Sequence, residues 1–457
     1  MNISKLLSFV LIAGLCGFGH GLRAQELGLH FMSNVWQSNL TNPALAPNQK
    51  IIFSFPGVAT NFSHSAVSFN EVITTNAEGQ KQIDSRRLLA ELREQNFLSA
   101  SARVESFHLA VSVLNMQFSL HHAVRFNGLL RYPRSLAQLA LEGNAGLIGQ
   151  EVDIAPGFDL MAYNEIGVGF NIRLAGLWLG GRIKALNGLG ILRSDPRSSI
   201  RLRTDVEIYR LQLNSDYRIN SAGFFDVDID GSEWTGDFSA DGYGAGDFFR
   251  MNRGWAIDLG GRYRVNDKLS IAASIIDLGY ISWQENVNNF ESQGAFSFDG
   301  LALDDLVSDN SIELGSSTDT LVETLNFSET ENGFTTLLAS KIYLSGSYRF
   351  HRLFRAGALW YLDNQPGKTF SALALSGTLE LGNIFSFGAV YSIHNRSFGN
   401  LGLNVQAKLG PVQFFALSDN VLAATRPANS RGTNFRLGLN MAFGKRGIQP
   451  PLVGRKD

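Results

Sequence analysis

The chain is short of cysteine, proline and long apolar runs, and each shortage excludes a class of protein. Cysteine occurs once in 457 residues, at Cys16. A disulfide framework and a cysteine-based metal site are therefore both ruled out. Proline is scarce at 11, while glycine (47) and phenylalanine (33) are frequent. Neither sign of charge dominates, with 39 basic against 41 acidic residues. No basic block stands out, so nucleic acid is not an expected partner. The mean hydropathy of -0.01 is too polar for a bundle of membrane helices. Beyond the N-terminus no run approaches the about 20 apolar residues that a spanning helix needs. The sequence also holds no HExxH, no GxSxG and no phosphate-cradling glycine loop. No catalytic residue and no cofactor is assigned, and the chain reads as a non-enzyme.

The first 24 residues differ from the rest. Lys5 precedes an apolar stretch from Leu6 to Leu15, which runs into small residues and Ala24. This is the layout of a secretory signal peptide cut after Ala24. The apolar run is too short for a membrane anchor. Leu15 stands where a lipid-modified cysteine needs a small residue, so Cys16 is not a lipidation site. The mature chain then contains no cysteine, and an exported protein without disulfides must find its stability elsewhere.

What is present is alternation. In "KIYLSGSYRF" (341–350), Ile342, Leu344, Gly346, Tyr348 and Phe350 share one strand face, and Tyr343, Ser345, Ser347 and Arg349 share the other. Only His351 and Arg352 separate this stretch from "LFRAGALWYL" (353–362). "FSALALSGTLEL" (370–381) meets "IFSFGAVYSI" (384–393) across Gly382-Asn383, a hairpin signal. "LGLNVQAKL" (401–409) meets "VQFFAL" (412–417) across Gly410-Pro411. Longer polar loops are expected at 363–369, 394–400 and 418–432, so short turns and long loops alternate. The final stretch, 433–443, puts Phe435, Leu437, Leu439, Met441 and Phe443 on one face and Asn434, Arg436, Gly438 and Asn440 on the other. So near the chain end there is little left to cover that apolar face.

A closed transmembrane barrel resolves this. Its apolar face meets lipid, and closure pairs every backbone group. The expected fold is all-β: an antiparallel up-and-down barrel of about 14–16 strands with short N-terminal plug or helical segments. Sixteen strands result if residues 50–59 join the wall, and 14 if the first segments stay inside. The lumen face then carries Arg173, Arg182, Lys184, Asp258, Arg262, Arg264, Arg349, Arg355, Glu380, Lys408 and Arg436. Trp178, Trp255, Tyr348, Trp360 and Tyr361 suit interfacial girdles. Short turns face the periplasm in such barrels. Ala175-Gly176 and Asn266-Asp267 are read as two of them, which requires residues 200–225 to fold back on themselves. The domain layout is a signal peptide (1–24), a barrel (25–443) and a periplasmic tail (444–457). The barrel includes a long acidic outer insertion at 284–340.

Two segments do not read as wall. "DSRRLLAELREQNFL" (84–98) places Leu88, Leu89, Leu92 and Phe97 near helical spacing after an Asp84 cap. "PRSLAQLALEGN" (133–144) reads as a second short helix with Pro133 at its start. Site signals are weak. Asp226, Asp228, Asp230 and Asp237 approach a calcium-loop spacing, but Asp stands where a bidentate Glu belongs and no flanking helices are evident. His121 and His122 are adjacent on a strand, so they point to opposite faces and cannot share a metal.

Several short motifs together resemble a known group. Asn42-Pro43-Ala44-Leu45, Gly181 through Gly188 ("GRIKALNG"), Phe296 to Leu303 with Asp319 to Leu321, and Ser418-Asp419-Asn420 are similar to an uncharacterised family of Bacteroidetes outer-membrane barrels. That family is related in style to FadL-like fatty-acid transporters and to PorV- and PorP-like proteins of type IX secretion. The last strand, with Arg436, Gly438, Met441 and Phe443, resembles the signal read by the barrel-assembly machinery, although 14 residues follow Phe443. The resemblance implies the outer membrane, contact with its lipid, and assembly by that machinery. It further implies binding or transport of a hydrophobic or amphiphilic small molecule. The alternative it allows is a non-transporting adaptor for a secretion component.

Overall fold

The computed structural model describes residues 27–65, 73–75, 81–206, 210–230, 233–238, 244, 246–298, 325, 327–382, 384–394, 397–425 and 432–446. The expected signal peptide, the centre of the acidic insertion and the last 11 residues lie outside them.

Fourteen strands form the wall. β1 is interrupted by Phe55-Pro56 into Ile51–Ser54 and Gly57–His64. Then come β2 (Gln95–Val113), β3 (Met116–Pro133), β4 (Gly157–Leu174) and β5 (Leu177–Ser194). β6 is Arg253–Arg264, β7 Leu269–Trp283, β8 Ser340–His351 and β9 Phe354–Gln365. β10 is Lys368–Leu381, β11 Phe385–His394, β12 Ser397–Leu409, β13 Val412–Ser418 and β14 Gly432–Phe443. Each strand pairs antiparallel with its sequence neighbour, and β14 pairs with β1 to close the ring: Ile51 opposes Phe443 and Val58 opposes Leu437. A closed sheet has no free edge, so every wall strand is paired on both sides. Residues 51–64 do join the wall, yet the count is 14, because the segments before them lie inside.

Alternation sets the facing throughout. Outward residues are half-exposed and apolar, as with Ile183 (65%), Leu375 (62%) and Phe435 (46%). The inward Asn434, Arg436 and Asn440 are buried. Two girdle assignments do not hold. Trp255, Tyr348 and Trp360 face out, but Tyr361 is 1% exposed and faces in. Adjacent strand residues cannot share a face, so Trp360 outward forces Tyr361 inward. Trp178 has the parity of Arg182 and also turns inward, under the guanidinium of Arg173 at 4.9 Å.

The expected turns at Ala175-Gly176, Asn266-Asp267 and Gly410-Pro411 are found, the second spanning residues 265–268, with Gly176 at φ +96°. Two expected loops are not. β9 and β10 run on to a two-residue turn at Pro366-Gly367, and β11 and β12 leave only residues 395–396 between them. Polar side chains do not stop a ladder whose bonds are all backbone, so these strands extend past their apolar bands. The remaining long connections sit at one end. There Ser199–Thr204 and Leu211–Gly223 fold back on each other as expected. Leu211–Gly223 also pairs with Val287–Phe298 from the acidic insertion. These strands share a core of Ile200, Leu202, Leu213, Tyr217 and Phe290, capped by the helix Arg134–Glu142. Burial raises the Tyr217 hydroxyl well above its ordinary range, and it donates to the Pro156 carbonyl at 2.6 Å. The helix Ser85–Glu91 starts where expected, with Asp84 accepting from the Arg87 amide at 3.1 Å.

The wall supplies a direct test of facing. Leu439→Arg would place a guanidinium on the apolar exterior and is expected to lower the unfolding free energy in lipid vesicles by about 2–4 kcal/mol. Urea titration reads the difference, and equal stability would mean that this face does not meet lipid.

Candidate functional site: a plugged lumen

A ring of 14 strands is too wide for its own side chains to fill. Here the chain's first described segment fills it. Residues 27–45 enter the lumen as a short helix, α1 (Leu27–Phe31), a 3-10 turn (Trp36–Leu40) and the Asn42–Leu45 turn. Leu27, Leu29, Val35, Ser38 and Asn42 are completely covered.

The wall holds this plug at three places. At the top, Asp419 accepts the amides of Leu27 and Gly28, both at 2.8 Å. These are the first α1 donors, which lack partners within the helix. Asn434 fixes Asp419 in turn, accepting its amide at 2.7 Å and donating to Oδ2 at 3.0 Å. Toward the short-turn end, Gln37 and Asn440 exchange side-chain amide bonds of 2.9 and 3.0 Å, and Asn440 also donates to Gln413 at 3.1 Å. At the base, Asn42 folds the turn by accepting from the Ala44 amide at 2.8 Å and donates to the carbonyls of Gly261 and Ala273. The Pro43 carbonyl accepts from Asn171 at 3.0 Å. Two wall glycines admit this turn. A Cβ on Gly180 would lie 2.3 Å from the Pro43 carbonyl carbon, and one on Gly260 would lie 2.1 Å from Asn42 Oδ1. Apolar contacts complete the seat: Leu29, Met32 and Val35 pack on Phe415 and Leu417.

A buried ion network lies beside the plug. Glu165 takes Arg103 at 2.6 Å, Arg125 at 3.1 Å and the His121 ring at 3.1 Å. Asp277 takes Lys184 at 2.5 Å and Arg125 at 3.0 Å. Asp258 takes Lys184 at 2.8 Å and Arg182 at 2.9 Å, and Arg182 also donates to Asn39 of the plug. Arg436 pairs with Glu105, which Arg103 joins at 3.4 Å. Each buried charge thus has an opposite charge or a hydrogen-bond partner, the condition for tolerating it.

Of the lumen charges read from the sequence, Arg182, Lys184, Asp258 and Arg436 are in this network. Arg355 pairs with Glu380 nearer the short-turn end. Arg262, Arg349 and Lys408 also lie at that end and pair with no carboxylate among the described residues. Glu105, Glu165, Asp277, Arg103 and Arg125 were not expected, nor was Lys341, which reaches Asp277 at 3.7 Å. Asp277 could not be found by counting, because it sits in a β-bulge opposite Asp258, at φ 62°. The extra residue breaks period 2 and turns Asp277 inward, where its amide donates to Asp258 at 2.8 Å.

The other expected sites are separate. Strands Phe225–Asp230 and Glu233–Phe238 pair as a hairpin, so Asp226, Asp228 and Asp230 alternate along a strand rather than curl into a loop. Their side chains, and that of Asp237, lie outside the described residues. His121 faces in and His122 bonds Ser106 at 2.9 Å on the other face. In the expected assembly signal, Met441 and Phe443 face out, while Gly438 has a packing role: a Cβ there would lie 2.4 Å from the Phe415 ring.

Above the network, toward the long loops, lies a cavity of about 130 Å³. Arg103, Arg125 and Arg193 line it among Asp159, Met161, Tyr163 and Tyr361, and the Arg125 guanidinium lies over the Tyr163 ring, 5.3 Å from its centroid.

The fold and this lumen define a closed, plugged 14-stranded β-barrel. A family model described as a family of unknown function, DUF5723, matches residues 43–419, and the chain belongs to that family. The Asn42–Leu45 turn, the "GRIKALNG" strand and Ser418-Asp419-Asn420 all converge on the plug and its seat. No curated protein matches the chain in sequence. Among solved structures, a Pseudomonas aeruginosa FadL homologue is 8% identical, with 94% of this chain and 100% of that one covered and a TM-score of 0.43. The Pseudomonas putida toluene transporter TodX is 9% identical, with 88% and 91% covered and a TM-score of 0.38. Identity this low carries neither ligand nor residue role across to this chain.

Proposed function

We propose that this chain is an outer-membrane barrel that admits an amphiphilic small molecule and passes it when its plug shifts. The short turns face the periplasm, the long loops face outward, and the apolar band meets lipid. The barrel-assembly machinery reads the last strand. The supporting observation is the upper cavity, which sets arginine side chains among aromatic and aliphatic ones, on the long-loop side of a plug made of a separate chain segment. A cavity of this size takes a head group and the first carbons of a tail. The molecule enters through the long-loop end, and release of the 27–45 segment opens the way below. No residue is assigned a catalytic role.

The test is entry of octyl sulfate, whose charge keeps it from crossing lipid unaided, into vesicles carrying the protein. Wild type should speed entry over protein-free vesicles. Asn127→Trp, which fills the cavity, should abolish the effect while the barrel still folds. A second reading is a non-transporting barrel that docks a secretion or surface component. It draws support from the buried ion network, which closes the lumen. No entry with wild type would sink the transport reading and leave this one.

A further inference from the structure

Below the plug lies a second cavity, of about 40 Å³. Its lining is unlike the upper one. Arg262 and Arg355 reach it, together with the hydroxyls of Ser270, Ser347, Ser376 and Thr378. Phe31 and Ser33 of the plug close it from above.

The charge around this cavity is one-sided. Arg173, Arg262 and Arg264 gather over the Trp178 ring, at 4.9, 5.3 and 6.0 Å from its centroid. Arg349 stands directly opposite Arg355 across the β8–β9 pair, on the same face. Like charges in that position destabilise a sheet. Among the described residues, the one carboxylate within ion-pair distance of any of these five arginines is Glu380, on Arg355. This is not a habit of the lumen, since in the network beside the plug Arg103, Arg125, Arg182 and Arg436 each hold a carboxylate. A positive cleft in low-dielectric walls concentrates anions. Guanidinium forks match oxyanions, and hydroxyls supply the additional donors that a group with three or four oxygens can accept.

We infer that the cavity between the plug and strands β6–β10 is a binding site for a phosphate oxyanion. Arg262 supplies the uncompensated charge, Arg355, which also holds Glu380 and donates to Ser33, is the second guanidinium, and Ser347, Ser376 and Thr378 supply hydroxyl donors. A carboxylate has too few oxygens for this donor set. The phosphate is either free inorganic phosphate or the head-group phosphate of a phospholipid. The site does not depend on whether the barrel carries a solute, because it is defined below the plug and read by binding alone.

Equilibrium dialysis of the full-length, detergent-purified protein against labelled inorganic phosphate tests this, in buffer free of other oxyanions. One saturable phosphate per chain is expected. Arg262→Gln should weaken it at least about tenfold, the loss of a charge-assisted contact. Thr378→Val, which keeps the charge and removes one hydroxyl, should weaken it less. Retained compact migration in unboiled gels shows that both variants fold. Displacement by dihexanoyl phosphatidate at far lower concentration than by inorganic phosphate would support the site and identify a lipid head group. Equal displacement would support it and identify free phosphate. Absence of saturable binding, binding unchanged in both variants, or acetate displacing phosphate at equal concentration would overturn the inference.

Discussion

Asp277→Ala is expected to lower the unfolding free energy by about 3–5 kcal/mol, the range for breaking a buried ion pair by removing one partner. The loss comes less from the vanished attraction than from what stays behind. Lys184 and Arg125 both lean on Asp277, at 2.5 and 3.0 Å, and both are buried. Lys184 keeps Asp258, which it shares with Arg182, and Arg125 keeps Glu165, which it shares with Arg103, so four cations must share two carboxylates. Alanine keeps the backbone amide that donates to Asp258, but it leaves a non-glycine residue at φ 62° without the ion pairs that offset that conformation. Urea unfolding from lipid vesicles measures the change, which should persist in high salt because buried pairs are poorly screened. Glu291→Ala breaks the exposed pair with Arg218 at 2.9 Å and should leave stability unchanged. Equal stability of Asp277→Ala and wild type would show that the network does not hold the wall.

Gly180→Val is expected to turn a closed barrel into a conducting one. Its Cβ would lie 2.3 Å from the Pro43 carbonyl carbon and 2.6 Å from the Ala44 amide nitrogen. These are backbone atoms, so the Asn42–Leu45 turn must leave rather than adjust. The wall itself should not suffer, because valine suits a strand better than glycine does. The substitution therefore separates the plug from the barrel. Planar-bilayer recording should show no steady current for wild type and a stable open level for Gly180→Val. Gly346→Val is the control, since a Cβ there meets nothing within 4 Å, and it should stay closed. A silent Gly180→Val would mean that the turn does not seal the pore.

Much of the wall was legible in the sequence because its physics is local. Period 2 placed Arg182, Asp258, Arg355 and Arg436 on the lumen face, and the structure puts them there. The same rule, applied strictly, excludes Tyr361 from the girdle beside Trp360. Polarity at 363–369 and 394–400 points to loops, yet the strands run on through most of both stretches, because polar side chains do not end a backbone ladder. The plug was not legible. Asn42-Pro43 is by itself a turn, and its partners Asn171, Gly261 and Ala273 are more than 120 residues away in sequence. Asp419 looked like part of a loop motif, whereas its carboxylate caps a helix 391 residues earlier in the chain. Asp277 was hidden for a different reason, since a bulge changes parity without changing composition. Contacts of this kind depend on closure of the ring, which brings distant segments together only after every strand has found its neighbour.

The central claim is that residues 27–45 sit sealed inside the barrel. A single reporter cysteine tests it most directly, because the only native cysteine, Cys16, falls in the expected signal peptide. Ser38 is completely buried in the plug, and Asn115 is exposed in the β2–β3 turn. Labelling of Ser38→Cys and Asn115→Cys by a bulky, membrane-impermeant maleimide on both sides of reconstituted vesicles compares the two positions. The account predicts prompt labelling at 115 and almost none at 38, with Gly180→Val restoring reaction at 38. Equal rates at both positions in the otherwise native chain would contradict it.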